Sequence, residues 1–268
     1  MVSDSVFNGV ASLGSKIAAF RAHMMRKMSA FHLRVSFFSC VVFLLTALSV
    51  WNVPSAFSAD GETGLFPKNA TILFQGDSIT DGNRGRNLDP NHILGHGYQF
   101  IIASRLGALN SEMNWKFLNR GVSGDTVQSM RARWDKDTIE LKPDVLSILI
   151  GVNDYWRGSS AEEYRADFDE LLAYTKEKLP NVKLIIIEPF ATRKSTKKPE
   201  ADIADYQVAS RDLAKKYGAV YVPTQEMFSE HIAAQPEDNY WIWDGVHPTY
   251  NGHWLLYEAW IDALMNAK

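Results

Sequence analysis

The sequence predicts an α/β protein, a three-layer α/β/α sandwich around a central five-stranded parallel sheet. Two observations lead there. From residue 70 onward, five short and nearly continuous apolar runs alternate with longer amphipathic stretches. Strands of that kind separated by helices belong to parallel sheets covered on both faces, and right-handed crossovers then set the layers. The second observation is positional: polar segments carrying Gly, Asp, Ser and Asn directly follow several of the runs. Open α/β sheets collect ligands outside the carboxyl ends of their strands.

The elements follow in order. The first strand is expected over 71–75, where Ile72, Leu73 and Phe74 run consecutively before Gly76. A helical pattern covers about 98–109, and a second strand is expected at 116–119. Helical spacing then runs over about 127–141, followed by the apolar strand 145–150. The long pattern 162–179 leads to a strand at 183–187, and the pattern 203–217 leads to a last strand at 219–222. Helices over about 224–234 and 249–265 close the chain. No Gly-, Ser- or Pro-rich linker and no internal repeat marks a second domain. With 268 residues and 46% hydrophobic content there is material for one sizeable core.

Residues 1–59 read differently from residues 60–268. Lys16, Arg21, Arg26, Lys27 and Arg34 face Asp4 alone, and the run from Phe37 to Val50 is almost wholly apolar. Small residues around Ser55, Ala56, Ser58 and Ala59 follow. Basic, then apolar, then small is the order of a secretory signal, with cleavage after Ser58 or Ala59. A retained membrane anchor is the alternative, although Trp51-Asn52-Val53-Pro54 interrupts a run that must reach about 20 residues to span. Either way the folded part is expected to be exported, and any membrane contact is through this segment. The first 59 residues carry +4, so residues 60–268 carry −7 against −3 for the whole chain. That acidity argues against nucleic acid as a partner. Cys40, the one cysteine, lies in the apolar run, which leaves residues 60–268 without disulfide or thiol chemistry.

The chemistry-bearing residues are spread along the chain. Ser78 follows the first strand in Gly76-Asp77-Ser78-Ile79-Thr80. It lacks the Gly-x-Ser-x-Gly elbow of α/β-hydrolases, and taken alone it reads as well as a helix cap. Gly124 and Asn153 follow the second and third strands. A loop glycine N–H and an asparagine amide are suitable donors for the negative charge that acyl transfer develops, and each also suits a plain turn. His247 sits three residues after Asp244 in a loop containing Gly245 and Pro248. A serine becomes a nucleophile when a base takes its proton and a third group orients that base. The acids Asp77, Asp81, Asp125 and Asp154 are expected to cap turns and hold loops. They show no metal-ligand spacing, and no metal is expected. Gly95-His96-Gly97 lacks the third glycine of a dinucleotide fingerprint, and no cofactor is expected.

Taken together, four segments resemble the SGNH hydrolases, the GDSL esterase and lipase family. These are Gly76-Asp77-Ser78-Ile79-Thr80, Asn119-Arg120-Gly121-Val122-Ser123-Gly124-Asp125-Thr126, Gly151-Val152-Asn153-Asp154 and Asp244-Gly245-Val246-His247-Pro248-Thr249. The resemblance spans residues 71 to about 260 and implies the flavodoxin-like sandwich of that family. It implies Ser78 as nucleophile, His247 as general base and Asp244 as the group that orients it. It also implies an oxyanion hole from the Ser78 and Gly124 N–H groups and the Asn153 side chain.

The substrate is less legible, because a fold and its reaction do not fix the ester. Aromatic residues crowd the expected site loops, and Asp77, Tyr155, Trp156, Trp241 and Trp243 are the candidate substrate contacts. Rings stack on sugar faces, and they also fill cores. The polar loop from Asp81 to Asn87 suits a hydroxylated substrate or a solvated turn, and no long apolar lid segment is evident. The expectation is removal of O-acetyl or other short acyl groups from carbohydrates, as in the family's exported acetylesterases. The alternatives are a broad carboxylesterase or lysophospholipase, and a noncatalytic carbohydrate-binding relative. His253 and Trp254 are expected to pack.

Overall fold

A computed structural model describes residues 65–87, 89–192, 203–235, 237 and 239–267. The expected signal or anchor in residues 1–59 lies outside them. Five parallel strands form the sheet: β1 (Thr71–Gly76), β2 (Lys116–Asn119), β3 (Val145–Leu149), β4 (Lys183–Ile187) and β5 (Val220–Val222). Their order is β2-β1-β3-β4-β5, with Phe74 opposite Asn119 and Gly76 opposite Leu149. The chain steps from β1 to β2 on one side and then returns to place β3 on the other. That reversal makes the carboxyl ends of β1 and β3 the switch point where such sheets bind ligands.

The helices are α1 (Ser78–Asp81), α2 (Tyr98–Leu109), α3 (Val127–Ala132), α4 (Val152–Arg157), α5 (Ala161–Lys178), α6 (Ala204–Tyr217), α7 (Gln225–Ala234) and α8 (Tyr250–Asn266). α8 packs with α2 and α7, while α5 packs with α3 and α6, giving the two outer layers. α3 and α5 start on reciprocal capping boxes, Thr126 with Ser129 and Ser160 with Glu163. α6 ends on Gly218 in the left-handed region. Among the described residues no helix is long and apolar enough to cross a membrane.

The core fills both faces of the sheet. Trp134, Trp260, Tyr98, Tyr164, Phe74 and Phe168 are wholly buried, and each buried ring of this size removes about 150–250 Å² from water. Both indole N–H groups find partners, Trp134 on Thr175 Oγ1 at 2.9 Å and Trp260 on Ser147 Oγ at 3.0 Å. That matters because an unpaired buried donor costs about 1–3 kcal/mol.

All five strands fall within a residue of the expected ranges, and the helices do so less evenly. The pattern over 127–141 is broken: α3 stops at Ala132, and Asp135–Ile139 forms a π-helical turn. At the break Arg133 reaches Asp125 Oδ2, Gln75 Oε1 and the Arg120 carbonyl at 2.7–3.0 Å. Gln75 in turn donates to Asp137 O and Thr138 Oγ1. A buried polar cluster at the end of β1 therefore overrides the helical period. α1 and α4 occupy segments where the sequence shows no helical pattern.

Candidate active site

Ser78 is placed by the junction of β1 and α1. Gly76 has φ +152°, and a Cβ there would lie 2.2 Å from the Leu149 carbonyl, so only glycine lets β1 and β3 run this close before the chain turns. Asp77, not Ser78, caps α1, its Oδ1 accepting from Ile79 N–H at 3.0 Å. The serine hydroxyl is thereby left for another partner. Ser78 Oγ lies 2.8 Å from His247 Nε2, across 169 residues of sequence.

The imidazole is held from behind. His247 Nδ1 lies 2.6 Å from Asp244 Oδ2, while Asp244 Oδ1 accepts from the N–H groups of Val246 (3.0 Å) and His247 (2.7 Å). Burial pushes the Asp244 carboxyl up, but the hydrogen bonds from His247 and Val246 outweigh it and hold the group below its ordinary value. An ionised Asp244 only accepts, so Nδ1 carries the proton and Nε2 faces the serine with its lone pair. The loop itself is closed by the antiparallel bridge between Ile242 and Pro248 and by Thr192 N–H on the Gly245 carbonyl at 2.9 Å.

Gly124 lies in a β-turn in which Asp125 N–H donates to the Val122 carbonyl at 3.1 Å. Its φ of +85° belongs to the left-handed region that the third position of such a turn demands. The Gly124 N–H has no acceptor among the described residues. Ser78 N–H, in the first turn of α1, has no intrahelical acceptor either. Asn153 sits in the first turn of α4, and its Nδ2 donates to the Asp125 carbonyl at 3.0 Å. That bond brings α4 against the Gly124 turn and leaves one amide hydrogen. The three segments together can take the proton of a serine hydroxyl and offer N–H donors to a developing oxyanion.

Four acids hold these loops. Asp81 is buried and accepts from Ser123 N–H (2.9 Å), Ser123 Oγ (3.0 Å) and both terminal nitrogens of Arg86 (3.0 and 2.7 Å). Burial raises its carboxyl, and these donors more than reverse the shift. Asp125 binds Arg133 Nε at 2.8 Å. Asp154 Oδ1 accepts from Val127 N–H, capping α3. Asp77 and Asp154 each bury their second oxygen without a partner among the described residues. Burial pushes Asp77 up to about 7, with Asp154 and Asp125 adding to the rise, and burial pushes Asp154 up to about 6. Asn119 ties the Ser78 loop to β2, its Nδ2 donating to Thr80 O (2.6 Å) and Leu94 O (2.9 Å).

The candidate substrate contacts separate. Asp77 and Tyr155 are buried and present no side-chain surface to a ligand; Tyr155 packs edge-on against Trp156 and Tyr206. Trp156 and Trp241 are half-buried against the core, and Trp241 Nε1 donates to the His231 carbonyl at 3.0 Å. Trp243 differs. It is 58% exposed, and its ring stacks on His247 with centroids 6.3 Å apart. Two further expectations concern α8. His253 is buried, accepts from Tyr98 N–H at 3.1 Å, and is lowered to about 4 by burial, whereas Trp254 is 44% exposed rather than packed inside. Among the described residues no group of three or more His, Cys, Asp or Glu could hold a metal ion. Sequence reasoning did not single out Asn119, Arg133 or Arg157, whose bonds run to residues distant in the chain.

Residues 74–255 match the family described as GDSL-like lipase/acylhydrolase. The chain belongs to this family. An acetylxylan esterase from Geobacillus stearothermophilus is 34% identical over 204 residues, covering 71% of this chain and 91% of that protein. A solved structure from Parabacteroides merdae, described as a GDSL-like lipase, is 37% identical with a TM-score of 0.71, over 75% of this chain and 97% of the other. The structure of the G. stearothermophilus acetylxylan esterase Axe2 is 30% identical with a TM-score of 0.64, over 74% and 94%. As a GDSL-like acylhydrolase the chain is a carboxylic ester hydrolase, and its substrate is an ester.

Proposed function

We propose that this GDSL-like acylhydrolase removes O-acetyl groups from carbohydrates through an acyl-enzyme on Ser78, and that it works outside the cytoplasm. The observation that carries the chemistry is the relay from Ser78 Oγ to His247 Nε2 (2.8 Å) and from His247 Nδ1 to Asp244 (2.6 Å). Ser78 Oγ attacks the ester carbonyl while its proton passes to His247, a general-base step worth about 10²–10⁴-fold. The Ser78 and Gly124 N–H groups and the Asn153 amide receive the oxyanion; one such donor is worth about 10²–10³ in kcat. His247 returns the proton to the leaving sugar hydroxyl. Water then attacks the acyl-enzyme, with His247 again as base, and acetate leaves.

The substrate reading draws on the acetylxylan esterase relative and on Trp243. Two solved Axe2 variants, one with a serine and one with an aspartate replaced by alanine, are described as catalytic mutants. An exposed indole lying against the base offers a flat apolar face where the sugar of a leaving group would sit. Export rests on the basic, apolar and small order of residues 1–59, with cleavage favoured over anchoring.

Acetate release from acetylated xylan, set beside turnover of p-nitrophenyl acetate, butyrate and octanoate, tests the substrate. Acetate release and a preference for acetyl are expected. Preference for octanoate without acetate release would make the enzyme a lipid or broad carboxylesterase instead. Labelling by an organophosphonate serine probe, lost in Ser78→Ala, tests the nucleophile and excludes a noncatalytic binding role.

A further inference from the structure

The turn carrying Gly124 is anchored along its whole length. Val122 N–H donates to Gly76 O at 3.0 Å, and Ser123 is held through its N–H and Oγ by Asp81. The Asp125 carboxylate is held by Arg133 Nε, and its carbonyl by Asn153 Nδ2. The Gly124 carbonyl accepts from the Arg157 guanidinium at 2.5 Å. Asn153 and Arg157 lie one turn apart on α4, so one helix grips two consecutive carbonyls. Among the groups reaching the turn from elsewhere, only Arg157 is exposed.

The consequence concerns one peptide plane. The Gly124 N–H belongs to the peptide joining Ser123 and Gly124. Asp81 fixes the plane before it, by way of the Ser123 N–H. Arg157 holds the plane after it by way of the Gly124 carbonyl, alongside the turn's own bond from Asp125 N–H to the Val122 carbonyl. Glycine has no Cβ and rotates at little cost between φ regions, so with one clamp lost the turn's own bond is left to keep the middle plane from turning its N–H away. A Cβ at position 124 would lie 3.2 Å from the Arg157 guanidinium, which places that side chain directly over the turn.

We propose that Arg157 is a positioning residue for the oxyanion donor, holding the Gly124 carbonyl so that the neighbouring N–H stays aimed at the reacting oxygen. This rests on the reading of Ser78, Gly124 and Asn153 given above. Arg157 touches no reacting atom in this scheme. Its effect falls on the transition state, where charge on the oxygen is largest, and spares the ground state.

The test uses the full chain with p-nitrophenyl acetate, acetylated xylo-oligosaccharides and a tetrahedral boronic acid inhibitor. Arg157→Met keeps the aliphatic stem and removes the donors. It is expected to lower kcat on both substrates by about tenfold, scaled down from loss of a whole oxyanion donor because the bond is indirect and exposed. KM should stay within about twofold, boronate affinity should fall in step with kcat, and the melting temperature should hold. Arg157→Lys, which keeps a charged donor on a shorter reach, should recover part of the loss. A raised KM for the oligosaccharide with unchanged kcat on p-nitrophenyl acetate would overturn the proposal, making Arg157 a substrate contact. Unchanged kcat on both substrates would also overturn it, as would a melting temperature that falls in step with kcat across the Met and Lys variants. Ser78→Ala, run alongside, separates the two readings: retained turnover there overturns the Ser78 reading and this proposal with it, whereas lost turnover there with unchanged kcat in Arg157→Met overturns the positioning role alone.

Discussion

Ser78, Gly124 and Asn153 leave the ends of three neighbouring strands, whereas Asp244 and His247 sit on a loop that joins α7 to α8 and belongs to no strand. The first group is embedded. Asp77, Asp81, Asn119 and Asp154 behind it are all buried, and the bonds of Asp81, Asn119 and Asp154 cross between loops far apart in sequence. The second group is held chiefly from within: one carboxylate binds the ring and the backbone of its own four-residue loop, Thr192 N–H braces the Gly245 carbonyl from outside, and the His247 and Asp244 side chains are 38% and 30% exposed. Charge stabilisation needs several donors converging on one point, so it calls for a rigid platform shared by three strands. A base needs one orientation and one partner, and a short loop supplies both. The two halves are joined by the hydrogen bond between Ser78 Oγ and His247 Nε2.

That contrast can be broken from either side. Ser78→Ala, which removes the shared bond and the proposed nucleophile, should cost on the order of 10⁶ in kcat, measured on p-nitrophenyl acetate. Asp244→Asn should cost about 10⁴, because the amide can stabilise the wrong imidazole tautomer while leaving the platform intact. Asn153→Ala should cost about 10²–10³ in kcat with little change in KM. If Asp244→Asn proved milder than Asn153→Ala, the embedded half would be the more demanding one. Trp243→Ala should raise KM for acetylated xylan several-fold and leave p-nitrophenyl acetate almost unchanged, reflecting loss of one stacked ring.

The burial of the platform also has a pH signature. Asp77 is raised to about 7 in the folded protein from an ordinary 3.8, so between those values the folded state holds a proton that the unfolded state has released. Stability should therefore fall as pH rises from about 4, and stop falling from this source above about 7, by at most about 4 kcal/mol. Asp77→Asn keeps the capping oxygen and removes the titration. Denaturant unfolding at pH 5 and pH 8 should show a smaller drop for the variant, and an equal drop would assign the slope to other groups.

The strands and the carboxyl-end location of the site were legible in the sequence, because apolar runs and the residues just after them are local signals. Short helices were not: α4 has six residues, too few for a 3.6-residue period to declare itself, and it begins after Gly151 at φ +128°. The break after Ala132 was hidden for a different reason. Arg133 continues the helical pattern locally, and its partners Gln75 and Arg120 are 58 and 13 residues away. Arg157 was hidden likewise, its acceptor lying 33 residues back. The acids read as capping and loop-holding residues carried their own local cue, and Asp77, Asp81 and Asp154 act in that way.

The stacking of Trp243 on His247 has an optical consequence. The indole is 58% exposed and lies beside the imidazole that faces Ser78, so a molecule occupying that site changes the surroundings of its ring. The emission difference between the native chain and Trp243→Phe isolates that signal from the other indoles. It would let occupancy of the site be watched in resting enzyme, with no turnover and no added dye.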